Sequence, residues 1–394
     1  MPYGLRGRFV PHCLALTVAF ALAPLAANAE LMIVANDEKV TWDESGKLVI
    51  MPPGKDSIVV VDIGKSRENP RIVATLPLMN SIFGPPTNLA ITPDERLALV
   101  ANSMDWVKDG EAWKPAPDNK LYVIDLKANP PALISTVAVG KQPSGLSISP
   151  KGDLALIANR ADNSISVLSI NGTEVKLIDT VAIGEQVAHV VFAPDGKRAL
   201  AAKFPGHKVA LLQIDGQKVT YTKTDIPVGL WPYNLSITPN GKLALTADNG
   251  NAGAADGHID TVSVIDLEAN PPRVIDKVVV GDAPEGFAIS PNGKIAVAVL
   301  LKGSNSDKKA WFYNRNASVV VLSIDGKKVR KVGEVQVRGL PEGVVFSRDG
   351  KYIYVGNFLD RDISILKVDG AKVVNTGKTL KLPGQPASMR GVLQ

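Results

Sequence analysis

The stretch PYNLSITPNGK, from Pro232 to Lys242, decides the fold because similar stretches recur along the chain. Leu235 and Ile237 alternate with polar residues, which is typical of a β-strand with one apolar face. The Pro-Asn-Gly sequence that follows predicts a tight turn, since proline fixes φ and glycine readily takes a positive φ. Close copies begin at Pro143, Pro284 and Pro341, and looser copies begin at Pro86 and Val187.

Each copy is followed by two further stretches rich in β-branched residues, such as residues 262–265 and 274–280. Four short antiparallel strands in a unit of roughly 40–60 residues are the pattern of one β-propeller blade. The chain holds six complete units of this kind. The sequence therefore predicts an all-β fold, a β-propeller with four-stranded antiparallel blades.

Two fragments are left at the ends of the chain. Residues 31–78 supply three strands without a first one, and residues 385–392 supply a first strand with nothing after it. Joined, they make a seventh blade, so we expect a ring closed by a clasp of N-terminal strands with a C-terminal strand. In the alternative, Val40 to Trp42 are the first strand and the C-terminus is a tail. We favour the clasp because closure removes free sheet edges.

The first 29 residues have the composition of a secretory signal peptide. Arg6 and Arg8 precede an apolar run, residues 13–26, and Ala27-Asn28-Ala29 forms a small-x-small cleavage site. The run is shorter than the roughly 20 residues of a membrane span, so we expect no membrane anchor. The prediction is an exported, periplasmic protein whose mature part, residues 30–394, is a single domain.

Composition narrows the function classes. Cys13 is the single cysteine and lies in the predicted leader, so we expect no disulfide and no CxxCH haem attachment in the mature chain. The formal net charge is +5 without any dense run of Lys or Arg, which does not favour nucleic-acid binding. We expect a monomer that binds a small molecule or a protein partner.

Three short sequence motifs, each after a Pro-Asp-Gly-like turn, resemble those of a known family. Val100-Ala101-Asn102, Ile157-Ala158-Asn159 and Tyr354-Val355-Gly356-Asn357 resemble the YVTN-type repeat of bacterial β-propellers. The chain is also similar to the related lactonase-type seven-bladed propellers, which include 6-phosphogluconolactonases. That resemblance implies a functional histidine before the turn of a middle blade, which His189 would match. His189 lies one residue nearer the turn, and residues 203–207 are basic where the family is acidic.

One mouth of the channel is the expected ligand site, because long loops gather there. These are residues 37–56, 103–119, 249–260 and 301–316. All five tryptophans fall in loops assigned to this face: Trp42, Trp106, Trp113, Trp231 and Trp311. They indicate either a lid core for their own loops or an aromatic rim around a pocket.

The remaining candidate site residues lie at positions where one blade departs from the residue that the other blades share. The second strand usually ends in Asn, and Lys203, Asp248 and Leu300 replace it in three blades. Lys203 and Asp248 are expected to converge at the mouth with first-strand residues His189, Glu285 and Glu342. Alternatively, the Asn residues cap turns, and Lys203 forms an interblade ion pair with Asp248. No His/Cys cluster is present, so no metal or cofactor is predicted; Ca²⁺ bound by oxygen ligands is a minor alternative.

The first functional hypothesis is a binding or interaction protein. Its ligand-binding residues would be Asn36, Asn102, Asp248, Asn357, Trp231, Tyr233 and Trp311. The alternative is a lactonase-like hydrolase or lyase acting on a lactone or carboxylate substrate. In it His189 is a candidate base, Glu285 and Glu342 are candidate acid–base groups, and Lys203 holds an oxyanion or carboxylate. A weaker third hypothesis is a partner protein in electron transfer.

Overall fold

The computed structural model describes residues 30–392, together with Met1 and Gly4. The predicted signal peptide, residues 1–29, otherwise lies outside the described residues. Within residues 30–392, no helix has the length and apolar character that a membrane crossing requires.

The described chain is a seven-bladed β-propeller with one additional hairpin. In chain order the strands are β1 (Leu31–Asn36), β2 (Val40–Trp42), β3 (Leu48–Ile50), β4 (Ser57–Asp62), β5 (Arg71–Leu76), β6 (Leu89–Ile91), β7 (Leu97–Asp109), β8 (Ala112–Asp125), β9 (Ala132–Ala138), β10 (Pro143–Ile148), β11 (Leu154–Asn159), β12 (Ser164–Asn171), β13 (Glu174–Ala182), β14 (Val190–Phe192), β15 (Arg198–Lys203), β16 (Lys208–Asp215), β17 (Lys218–Pro227), β18 (Pro232–Ile237), β19 (Leu243–Asp248), β20 (Asp260–Asp266), β21 (Arg273–Gly281), β22 (Pro284–Ile289), β23 (Ile295–Leu300), β24 (Ser318–Asp325), β25 (Lys328–Gln336), β26 (Pro341–Phe346), β27 (Tyr352–Asn357), β28 (Asp362–Asp369), β29 (Lys372–Lys381) and β30 (Pro386–Gly391). A 3₁₀ helix covers Phe358–Asp360.

Every blade is an antiparallel sheet of four strands. The second to seventh blades are β6–β9, β10–β13, β14–β17, β18–β21, β22–β25 and β26–β29. The first blade has the order β30-β1-β4-β5, so the C-terminal strand is its innermost strand. Val34 pairs with Met389 and Ala35 with Ser388 in an antiparallel register. The predicted clasp is confirmed, and β2 forms a separate hairpin with β3 instead of a first strand.

Apolar cores lie between neighbouring blades, because both faces of the inner strands are covered. Between the third and fourth blades, Leu156 and Val167 pack with Val190 and Leu212. At the closure of the ring, side chains of the seventh blade pack against Met32 of the first. Most side chains of the outermost strands face solvent. Burial of apolar surface between blades therefore stabilises the ring.

The recurrent turn has a defined geometry. Gly241 has φ of +70°, and its N–H donates to the Thr238 carbonyl oxygen at 2.8 Å. The Thr238 hydroxyl oxygen also accepts a hydrogen bond from Leu243 N–H at 3.0 Å. The turn thus needs a residue that tolerates positive φ, as the sequence predicted.

Replacing Gly241 by valine should lower the free energy of unfolding by about 1–2 kcal/mol, because a branched residue is strained at positive φ. A Cβ there would lie 3.8 Å from Pro194, so the cost is conformational and not steric. Urea unfolding measures the effect. Gly333→Val on β25 is the matched control, since Gly333 has no positive φ and an open neighbourhood. Equal losses in both variants would contradict the turn assignment.

A chain that ends before Pro386 should lose its cooperative thermal transition, because the first blade would lack its inner strand. A chain that ends at Val392 keeps β30 and serves as the control. Differential scanning calorimetry compares the two with the mature protein. An unchanged midpoint in the shorter chain would show that the clasp contributes no stability.

Candidate functional site

A pocket of about 300 Å³ lies at the mouth of the central channel. First strands of neighbouring blades form its base, and the long loops form its rim. The side chains that matter for its chemistry are Trp42, Phe83, Arg160, Tyr233, Glu285 and Glu342. We call this cavity the mouth pocket.

Two carboxyl groups meet in the mouth pocket. Glu285 and Glu342 are the second residues of β22 and β26, which lie on adjacent blades. Their side chains are hydrogen-bonded to each other and almost fully buried. The strands approach closely because Gly286 has no side chain: a Cβ there would lie 2.1 Å from the Glu342 carbonyl oxygen.

Burial sets the ionisation of this pair. Loss of hydration raises the pKa of Glu285 to about 7, although the hydrogen bond from Glu342 opposes the rise. Burial, followed by repulsion from the Glu285 carboxylate, raises the pKa of Glu342 well above its ordinary value. Oε2 of Glu342 has no hydrogen-bond partner in the described protein. Near neutral pH the pair therefore holds a proton between the two groups, and one buried carboxyl oxygen of Glu342 is left without a protein partner.

The guanidinium of Arg160 lies beside the Glu285–Glu342 pair, which we call the acid pair. Arg160 follows β11, and its guanidinium lies 4.7 Å from the Phe204 ring centroid and 5.8 Å from that of Tyr233. Its Nη1 donates to the Tyr233 hydroxyl at 3.4 Å. Burial raises the pKa of Tyr233 to about 12, so that hydroxyl stays neutral. Aromatic faces, and not a carboxylate, thus hold the guanidinium of Arg160 in place.

A buried ion network positions the rim. Lys39 Nζ binds Asp37 Oδ1 at 2.8 Å and also contacts Asp56. Asp37 Oδ2 accepts a hydrogen bond from the backbone N–H of Ile82, next to Phe83. The network fixes the loop that carries Phe83 against the base of the β2–β3 hairpin.

The aromatic residues divide between the lid and the pocket. Trp106 stacks on Phe83 at 5.9 Å and is buried with Val40 and Leu301 in a lid core. Trp42 packs edge-on against Phe358 at 5.8 Å and also lines the mouth pocket. Both interpretations of the tryptophans therefore apply: Trp106 belongs to a lid core, and Trp42 belongs to the aromatic rim of the pocket. Trp113 packs against the lid core, Trp231 packs on Phe204, and Trp311 is 81% exposed.

His189 lies in the channel but does not line the mouth pocket. Its Nε2 is 3.3 Å from an Arg390 guanidinium nitrogen, so Nε2 accepts and the proton sits on Nδ1. The ring fits against Gly145, where a Cβ would lie 2.3 Å from Nδ1. Burial and the charge of Arg390 hold the pKa of His189 well below its ordinary value. A neutral imidazole with its lone pair already engaged faces the channel.

The expected convergence at the mouth is wrong for Lys203 and Asp248. Lys203 Nζ binds Asp225 Oδ2 at 2.7 Å and Glu185 Oε1 at 3.1 Å. Asp248 accepts hydrogen bonds from its own blade, including Ser263 at 2.6 Å, and burial raises its pKa to about 6. The two do not form the alternative ion pair either. Both end second strands, one strand away from the channel. Their partners lie on their own sheets, apart from Glu185, which lies in the loop between β13 and β14.

The asparagines that end second strands behave in the same way. Asn36, Asn102, Asn159 and Asn357 each donate to a residue in or next to the third strand of their own blade. None of the four lines the mouth pocket. Of the predicted ligand-binding residues, Tyr233 does line it. Arg160 and Phe83, which sequence reasoning did not select, complete its polar and aromatic walls.

Across the part of the chain that the structure describes, no group of three or more His, Cys, Asp or Glu side chains is arranged to hold a metal ion.

Comparisons with known proteins give the class of the fold. The family model described as "Lactonase, 7-bladed beta-propeller" matches residues 123–230, so the chain resembles lactonase-type seven-bladed β-propellers there. No curated protein matches the sequence. The similarity to the YVTN-type repeat stays a prediction.

Solved structures with the same fold are distant in sequence. A candidate 6-phosphogluconolactonase from Bacteroides uniformis is 16% identical, with a TM-score of 0.71, over 92% of this chain and 99% of that one. The periplasmic gluconolactonase of Pseudomonas aeruginosa is 17% identical, with a TM-score of 0.65 and the same coverage. Hydrazine synthase of Kuenenia stuttgartiensis is 19% identical, with a TM-score of 0.56, over 74% and 79%. At such identities the likeness shows the fold alone.

Replacing Glu342 by glutamine should raise the free energy of unfolding at alkaline pH, because the variant needs no proton to stay uncharged in the folded protein. The fold keeps a proton that the unfolded chain releases above its ordinary pKa of 4.5. The stability that this proton contributes is therefore complete below that value and declines as pH rises toward the folded pKa.

Urea titrations at acidic and alkaline pH measure this effect. Glu174→Gln, at a side chain 57% exposed on β13, is the control and should change little. If wild type and Glu342→Gln unfold alike at alkaline pH, the pair is not protonated in the fold.

Proposed function

We propose that the protein hydrolyses a lactone in the mouth pocket, with Glu285 and Glu342 as its acid–base pair. The observation that carries the proposal is a buried carboxyl pair that shares a proton beside a guanidinium without a carboxylate partner. Groups whose pKa is strongly shifted by burial, in a cleft, are typical of catalytic sites.

The chemistry of the proposal follows from the two protonation states. Ionised Glu285 takes a proton from water, whose oxygen forms a bond to the lactone carbonyl carbon. Arg160 and the neutral hydroxyl of Tyr233 stabilise the negative charge that develops on the carbonyl oxygen. As the ring C–O bond breaks, protonated Glu342 gives its proton to the leaving alkoxide, so the product is a hydroxy acid.

The dimensions of the pocket support a small substrate. About 300 Å³ is at the lower end of the range for small-molecule sites and suits a single sugar-sized ring. Trp42 and Phe83 offer apolar faces to such a ring, and the acid pair offers hydrogen bonds. The local match to the lactonase family model supports the same substrate class.

We further propose that the protein acts in the periplasm. The composition of residues 1–29 is that of a secretory leader. The gluconolactonase of Pseudomonas aeruginosa with the same fold is described as periplasmic, which supports export of this chain.

A binding protein without turnover is the second candidate function. The aromatic residues around the mouth pocket favour it, because Trp42, Phe83 and Tyr233 supply contact area to a ligand independently of any acid–base chemistry. The two functions use the same cavity and differ in whether the bound lactone opens.

The test is acid release from glucono-δ-lactone and a panel of γ-lactones, measured by pH-stat above the spontaneous rate. Glu285→Gln and Glu342→Gln should each lower kcat/KM by about 10²- to 10⁴-fold. Wild-type activity should rise as pH increases through about 7, where Glu285 ionises. Glu174→Gln again serves as control.

Two results would count against hydrolysis. One is wild-type protein that does not exceed the spontaneous rate for any lactone. The other is full activity in both glutamine variants. Saturable binding of a lactone by calorimetry without ring opening would support the second candidate function instead.

A further inference from the structure

A second cavity adjoins the mouth pocket at its rim. It has a volume of about 230 Å³, and Trp42 and Asn305 line both this cavity and the mouth pocket. We call it the side pocket. Because the same two side chains border both cavities, a ligand that fills the mouth pocket can extend past them into the side pocket.

Two segments of the rim meet to form the walls of the side pocket. The β2–β3 hairpin lies against the loop that follows β23, and Ser45 pairs with Asp307 in an isolated β-bridge. The backbone N–H of Lys308 donates to the Glu44 carbonyl oxygen at 3.1 Å. Gly46, with φ of +74°, allows this approach, because a Cβ there would lie 2.5 Å from the Asp307 nitrogen. Backbone contacts therefore hold the two walls together.

The cations that line the side pocket already have carboxylate partners. Lys308 Nζ lies 2.8 Å from Glu44 Oε1. Arg315 donates two hydrogen bonds to Asp360, from Nη1 to Oδ2 at 3.1 Å and from Nη2 to Oδ1 at 2.6 Å. Neither cation is thus free to neutralise an anionic ligand. The side pocket therefore favours an uncharged ligand group over a phosphate or a carboxylate.

Two uncharged polar side chains of the side pocket are available to a ligand. Within residues 30–392, the Asn305 amide and the Tyr313 hydroxyl make no hydrogen bond to another residue. Both side chains are half-buried. The indole ring of Trp42, packed edge-on against Phe358 at 5.8 Å, supplies an apolar surface in the same cavity. A sugar ring matches this combination, because it offers C–H groups to an aromatic surface and hydroxyl groups to polar side chains.

We propose that the side pocket binds a neutral sugar residue attached to the lactone that occupies the mouth pocket. The substrate class is then the lactone of a disaccharide acid instead of that of a single sugar. This inference rests on the proposed function, because the mouth pocket has to hold the lactone ring or its hydroxy-acid product. The Tyr313 hydroxyl and the Asn305 amide bind hydroxyl groups of the second sugar, and Trp42 packs against its ring.

Calorimetry on the mature protein tests the proposal without any need for turnover. Gluconate is compared with three disaccharide acids that differ in their linkage, namely lactobionate, maltobionate and melibionate. The wild-type protein should bind at least one of them about tenfold more tightly than gluconate, because the second sugar adds hydrogen bonds and ring contact. Equal or weaker binding of all three would overturn the proposal.

A tyrosine variant tests whether the second sugar lies in the side pocket. Tyr313→Phe removes only a hydroxyl and should reduce the preference for the disaccharide acid over gluconate about fivefold. Tyr352→Phe is the matched control, since the Tyr352 hydroxyl binds Glu68 and this residue lines neither pocket. The control should keep the wild-type preference.

A glycine variant tests the walls of the side pocket. Gly46→Ala should also reduce the preference, because the added Cβ pushes the hairpin away from the loop with which it pairs. Gly54→Ala is its control, since Gly54 also has a positive φ, of +108°, and no atom lies within 4 Å of the added Cβ. If the wild-type preference persists in both Tyr313→Phe and Gly46→Ala, the second sugar does not lie in the side pocket.

The calorimetric result is separate from that of the lactone assay. Protein that opens glucono-δ-lactone but shows no preference for a disaccharide acid would keep the proposed function and refute the role of the side pocket. Protein that prefers a disaccharide acid but opens no lactone would support the side pocket and favour a binding protein instead.

Discussion

The pairing of β30 with β1 is the constraint on which the rest of the molecule depends. It supplies the inner strand of the first blade, and it brings Met389 into register with Val34. The same strand carries Arg390 into the channel, where it meets His189 on the fourth blade, across the ring. Closure and channel chemistry therefore share one element, because the chain end that completes the sheet also delivers the buried cation.

The mouth pocket follows from the repeat itself. Each first strand begins at the same height, so the second residues of β18, β22 and β26 lie side by side. In this chain these are Tyr233, Glu285 and Glu342. Adjacent blades force the two carboxyl groups together, and burial leaves them a shared proton instead of two charges. Uncharged amide side chains at these positions would avoid this cost. The carboxyl pair is therefore more typical of a catalytic site than of a structural core.

The fold could be predicted from the sequence because the repeat fixes strands, turns and closure locally. The positions of Glu285 and Glu342 could also be predicted, since both follow the proline that opens a first strand. Lys203 and Asp248 were placed wrongly because the end of a second strand lies one strand away from the axis. Arg160 was missed because its place depends on the Phe204 and Tyr233 rings that hold it, which no spacing along the chain reveals.

The acid pair and Arg390 lie at different depths of the channel because of strand geometry. Glu342 is the second residue of its strand and Arg390 the fifth of the next, a separation of roughly 10 Å along strands that rise about 3.3 Å per residue. Arg390 is not among the groups whose charge shifts the pKa of Glu285 or Glu342. Glu342 keeps a proton instead, and Arg390 rests on the neutral ring of His189. The acid pair is therefore stabilised by a proton held between its two carboxyl groups, and the cation by a hydrogen bond to a neutral imidazole.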